Sequence, residues 1–184
     1  VIDPGDEVVI PAPYWVSYPD MALLAEGTPI TPYAGPEQGY KITPAQLEAV
    51  ITPKTRLFML NSPSNPTGAA YSSAELHAFG AVLRRHPDVL IATDDMYEHI
   101  YWAKEPFCSF LTACPDLFDR TVTINGVSKS YAMTGWRIGY CGGPAGIVEA
   151  MSMIQSQSTS NPSSIAQKAA VAALNGDQAC VAEM

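Results

Sequence analysis

The chain has 184 residues, 47% of them apolar and 15% charged, which suits one globular domain with a sizeable core and excludes a disordered tail. Ten basic residues against 18 acidic ones give a net charge of −8; the basic residues are scattered, which argues against a nucleic-acid groove or an anionic membrane as the main partner. No apolar run approaches the roughly 20 residues of a membrane span and no secretory leader pattern opens the chain, so a soluble, cytoplasmic protein with a small-molecule partner is expected.

In chain order, Glu7 to Pro11 reads as a buried strand, followed by a helix over Val16 to Leu24 and an extended piece from Thr28 to Tyr33. Thr43-Pro-Ala-Gln46 has the form of a capping box with proline at the first helical position, opening a short helix through Leu47, Val50 and Ile51. Arg56 to Leu60 is the next strand. A turn-rich loop, Asn61 to Ala70, then leads to a second capping box, Ser72-Ser-Ala-Glu75, and a helix with Leu76, Phe79, Val82 and Leu83 on one face. Val89 to Thr93, Thr121 to Asn125 and Arg137 to Cys141 read as further strands. Pro144 to Gln155 and Pro162 to Asn175 read as helices, the second with Asn161 as cap and Gly176 as stop. The stretch from Trp102 to Asp119 has no clear period and is expected to be a surface connection. Strand followed by helix, repeated, predicts an α/β domain of three layers, α/β/α, around a mostly parallel doubly wound sheet.

Cys108, Cys114, Cys141 and Cys180 lack zinc-site spacing and are expected to be reduced; His77, His86 and His99 are not expected to bind metal. Trp102 and Trp136 are expected to be packing residues. Opening at Val1 directly before a strand, the chain reads as a piece of a longer protein.

In an open parallel sheet, ligands bind beyond the carboxyl ends of the strands, so the residues just after each strand are the ones to inspect. There the sequence places Asn65 in Asn-Pro-Thr-Gly, Asp94 and Tyr97 in Asp-Asp-Met-Tyr, Ser128 and Lys129 after Gly126-Val, and Arg137 shortly beyond. An amine, a carboxylate, a phenol, an amide and a guanidinium on one edge suit a ligand that is an aldehyde, a cationic ring nitrogen, a phenolate and a phosphate at once. Pyridoxal 5'-phosphate has all four features.

Gly126-Val-Ser-Lys129-Ser-Tyr-Ala-Met-Thr-Gly-Trp-Arg137-Ile-Gly139 resembles the lysine-attachment signature of the class I pyridoxal-phosphate aminotransferases. Asn65-Pro-Thr-Gly68, Asp94-Asp-Met-Tyr97-Glu98 and Pro13-Tyr-Trp15-Val-Ser-Tyr-Pro19 are similar to the family's other markers in the expected order, so the likeness runs along the whole chain. The wording is most similar to that of the bacterial aspartate aminotransferases. The resemblance implies that residues 1–184 are most of a large cofactor-binding domain, lacking an upstream segment and a small domain. It implies transamination between an amino acid, aspartate first, and 2-oxoglutarate, in a homodimer. Lys129 is the implied Schiff-base and proton-transfer residue, Asp94 the partner of the ring nitrogen, and Tyr97 and Asn65 the partners of the ring hydroxyl. Arg137, with Ser128 as a lesser candidate, is implied for the phosphate, and Trp15 for stacking on the ring. A β-lyase or decarboxylase on the same fold, or a non-catalytic cofactor-binding module of a fused regulator, stands as an alternative.

Overall fold

A computed structural model describes residues 1–184. Six strands form one sheet in the order β2-β1-β3-β4-β5-β6, with β1 at Glu7–Val9, β2 at Thr28–Ile30, β3 at Thr55–Asn61, β4 at Leu90–Asp94, β5 at Thr121–Gly126 and β6 at Gly139–Gly142. The pairs from β2 through β5 are parallel, and β6 runs antiparallel to β5. Reversal at β6 follows from the short Lys129–Arg137 connection, which has no crossover helix to carry the chain back.

Helix α1 (Ser17–Leu24) leads from β1 outward to β2, whereas α2 (Pro44–Val50), α3 (Ser73–Leu83) and α4 (Phe110–Ala113) lead the opposite way along the sheet. Right-handed crossovers therefore put α1 on one face and α2, α3 and α4 on the other. Strand alternation divides the core accordingly. Val9, Phe58, Leu60 and Ile91 pack with Leu47, Leu76, Phe79, Leu83 and Phe110, while Val8 and Ile10 pack with Tyr18 and Ala22 of α1.

Both capping boxes form: Gln46 N–H donates to Thr43 Oγ1 at 3.2 Å, and Glu75 N–H donates to Ser72 Oγ at 3.3 Å, each answered by the return bond from the cap backbone. Other expectations are corrected. The second half of the 102–119 stretch is core: Phe110, Ala113, Cys114 and Leu117 are buried. One turn of α-helix and a 3-10 turn over Pro115–Arg120 build it, too short for a helical period to show in the sequence. The strand expected from Arg137 begins only at Gly139, and the extended piece from Thr28 ends at Ile30. Helix α5 (Ala145–Ser158) runs three residues past its expected end at Gln155, and α6 (Ser164–Asn175) starts after Ser163 without a side-chain cap, Asn161 Nδ2 instead donating to the Pro162 carbonyl at 2.7 Å. A last helix, α7, covers Ala179–Glu183. Trp102 and Trp136 are not packed inside, being 87% and 46% exposed. No helix is long and apolar enough to cross a membrane.

Candidate active site

A cavity of about 230 Å³ opens at the carboxyl end of the sheet, lined by Trp15, Tyr18, Asn61, Asn65, Asp94, Met96, Tyr97, Ser128, Lys129, Thr134 and Arg137. All seven residues singled out in the sequence face it. They arrive from four strand ends: Trp15 from the loop after β1, Asn65 from the loop after β3, Asp94 and Tyr97 from the end of β4 and its following turn, and Ser128, Lys129 and Arg137 from the connection after β5.

Local chemistry fixes each arrival. The Asn65-Pro-Thr-Gly68 loop closes on itself through Gly68 N–H to the Ser64 carbonyl at 2.8 Å and Ser64 N–H to the Ala69 carbonyl at 2.9 Å. Gly68 sits at φ +70°, a region that side chains with a Cβ rarely adopt. Asp94 ends β4 with both carboxylate oxygens engaged: Oδ1 accepts from Met96 N–H at 3.1 Å, and Oδ2 accepts from the Tyr18 hydroxyl at 2.6 Å. Burial, then the adjacent Asp94 charge, pushes the Tyr18 phenol far above its ordinary value, so it stays a hydrogen-bond donor throughout the physiological range. Tyr18 also meets Trp15 edge to face, with ring centroids 5.4 Å apart.

Asn65 Nδ2 lies 3.5 Å from the Tyr97 hydroxyl, and Lys129 Nζ lies 5.8 Å from the Tyr97 ring centre. Arg137 occupies the left-handed region at φ +51°, and its Nη1 donates to the Thr134 carbonyl at 2.8 Å. Thr134 Oγ1 in turn donates to the Ser128 carbonyl at 3.2 Å, tying the two ends of this connection together. Lys41, Arg56, Arg84 and Arg85 are paired with carboxylates, whereas Lys129 and Arg137 form no ion pair. The cavity thus offers two unneutralised cations to an anionic or carbonyl ligand.

A Cβ at Gly126 would lie 3.0 Å from Met96 Cε, 3.2 Å from Gly139 Cα and 3.3 Å from the Ile138 carbonyl oxygen, so a side chain there would require β6 or Met96 to give by a few tenths of an ångström. Tyr18, Asn61, Met96 and Thr134 were not among the sequence-selected site residues. Tyr18, Met96 and Thr134 lie inside the quoted motifs, but no local pattern tells which motif residues turn toward a cavity.

Residues 1–184 match the family described as aminotransferase class I and II, and the chain belongs to it. Among curated relatives it is 68% identical over 183 residues to the aspartate/prephenate aminotransferase of Nitrosomonas europaea, covering 100% of this chain and 46% of that protein. It is 63% identical over 177 residues to the aspartate/prephenate aminotransferase of Cereibacter sphaeroides, covering 96% of this chain and 44% of that one. Of solved structures, the aspartate aminotransferase of Rhizobium meliloti superposes with a TM-score of 0.97 at 53% identity, over 100% of this chain and 46% of that one. The aromatic aminotransferase of Pyrococcus horikoshii OT3 superposes at 0.95 with 34% identity, over 100% and 49%. The chain therefore spans somewhat less than half the length of the relatives it matches.

Proposed function

We propose that this chain is the cofactor-binding part of a pyridoxal-phosphate-dependent aminotransferase that exchanges amino groups between aspartate and 2-oxoglutarate. The observation that carries the reading is the convergence of Lys129, Asp94, Tyr97, Asn65 and Arg137 on one cavity. That donor set fits the cofactor group by group: amine to aldehyde, carboxylate to ring nitrogen, phenol and amide to ring hydroxyl, guanidinium to phosphate. When bound, pyridoxal phosphate supplies an aldehyde that captures amines and a ring that accepts electron density.

The chain's own residues do the rest. Asp94, oriented by the Tyr18 hydroxyl and the Met96 amide, would face the ring nitrogen and keep a proton there. Tyr97 and Asn65 donate to the ring hydroxyl, and their own 3.5 Å contact aligns them for it. Arg137, free of any carboxylate, grips the phosphate with Ser128 beside it. Trp15, which lines the cavity, would stack on the ring and hold its plane. Lys129 Nζ would hold the cofactor aldehyde and, when released from it, would serve as the base that takes a proton from substrate Cα.

Aspartate as donor is supported by the names of the Nitrosomonas and Rhizobium relatives. Residues 1–184 form the partial large domain. A homodimer fits the apolar side chains left exposed on α5 and α6, among them Met153, Ile154 and Ile165. A cytoplasmic setting fits four free cysteines. The protein containing this chain is expected to form oxaloacetate from aspartate only when 2-oxoglutarate is present. Release of pyruvate and ammonia without an oxo-acid acceptor would overturn transamination.

A further inference from the structure

Asn61, the last residue of β3, lines the cavity and yet has both ends of its carboxamide engaged within the protein. Its Nδ2 donates to the Asp94 main-chain carbonyl at 2.9 Å, and its Oδ1 accepts from the Asn65 main-chain N–H at 2.8 Å. The partners settle which end is which, since a carbonyl requires a donor and an N–H requires an acceptor. One side chain therefore bridges two residues on different elements, the end of β4 and the loop after β3, that the cofactor reading places against the ring.

We propose that Asn61 is a positioning residue: a clip that sets the spacing between Asn65 and Asp94 and thereby the fit of the cofactor ring between them. This inference rests on the pyridoxal-phosphate reading. Where β3 and β4 end, Asn61 stands opposite Asp94 in register, and the ladder has no further regular pair to hold the strand ends. The Asp94 carbonyl accepts from Asn61 Nδ2 and also from Ser62 N–H at 3.3 Å, so the side chain extends the ladder by one rung. From the same Cβ it reaches the start of the Asn65 loop, whose main-chain bonds from Ser64 and Gly68 are internal.

Few residues can do this. Asp would turn an acceptor oxygen toward the Asp94 carbonyl, Ser has one short hydroxyl for two partners, and Gln would carry both ends outward by about 1.5 Å. The same reasoning says that Asn61 acts through Asn65 and Asp94, not by touching substrate.

The test compares pyridoxal-phosphate affinity and the induced circular dichroism of bound cofactor in the parent protein, Asn61→Ala and the near-isosteric Asn61→Asp, with thermal unfolding of each cofactor-free protein. Both variants are expected to bind cofactor at least about tenfold more weakly and with reduced induced dichroism, a loss of the size expected for displaced charge-assisted contacts. Cofactor-free unfolding is expected to move little for Asn61→Ala, which removes the bridge but leaves the Asp94 carbonyl its bond from Ser62 N–H. If either folded variant binds within about twofold of the parent, or if losses appear only in cofactor-free unfolding, Asn61 is structural and the clip is wrong. A parent that forms no borohydride-reducible adduct at Lys129 would instead remove the cofactor reading and the clip with it.

Discussion

Asp94 is the side chain on which the site's polarity turns, and its neighbours make sharp predictions. Tyr18→Phe keeps the ring that meets Trp15 but deletes the 2.6 Å bond to Oδ2. A hydrogen bond to a charged group is worth roughly 1.5–3 kcal/mol, so Tyr18→Phe is expected to weaken cofactor affinity by about tenfold or more in a spectroscopic titration. Unchanged affinity would show that Met96 N–H alone suffices. The adjacent Asp95 behaves differently. It is 3% exposed, its Oδ1 accepts from Thr93 Oγ1 at 2.7 Å, and burial pushes its carboxyl up from 3.8 to about 6, with Glu98 and Asp94 adding to the rise against the Thr93 bond. Between those two values the folded chain holds proton that the unfolded chain has released, so the contribution of Asp95 to stability falls as pH rises through that window. Asp95→Asn keeps an acceptor for Thr93 and removes the charge. It is expected to flatten that slope and to raise stability above pH 6 by on the order of 2 kcal/mol, read from denaturant unfolding at a series of pH values; an unchanged slope would assign the pH dependence elsewhere.

At the scale of elements, the joint between α3, α4 and β5 depends on Arg120. Its guanidinium donates to the carbonyls of Leu83, His86 and Val89 at 2.6, 2.8 and 2.7 Å, completing the C-terminal end of α3. Arg120→Ala is expected to destabilise the fold by roughly 2–4 kcal/mol, measured by urea unfolding, and a loss under about 0.5 kcal/mol would show that water replaces those donors. This joint was the least legible part of the sequence. Phe110, Ala113 and Leu117 are core residues on elements of one or two turns, so neither a helical nor a strand period could form. By contrast, the two capping boxes announced α2 and α3 because capping is a contact between residues three apart, readable without the fold. The site divides in the same way. Asp94, Asn65, Lys129 and Arg137 follow strands and carry distinctive chemistry, so strand position alone brought them to one edge. Tyr18 and Asn61 act through residues on other elements, and such partners appear only once the sheet order is known.

For the whole molecule, the distribution of apolar surface is as informative as the cavity. Helices α2, α3 and α4 bury their faces on the sheet, whereas α5 has no buried residue and α6 buries only Ala166 and Ala170. Met153, Ile154 and Ile165 remain 65%, 69% and 72% exposed on these helices. Sedimentation velocity over a concentration series is expected to show self-association of the protein, reduced by Ile154→Glu; a monomer at every concentration would contradict the dimer reading. The sheet, the cavity and the two unpaired cations that line it point to Lys129 as the residue that would carry pyridoxal phosphate. The most direct test of that role is to incubate the protein with the cofactor, reduce with borohydride, and map the modified peptide by mass spectrometry beside Lys129→Ala. A single phosphopyridoxyl label on Lys129 that disappears in the variant is expected. Label spread over other lysines, or none on Lys129 in a protein that includes this chain at full length, would contradict it.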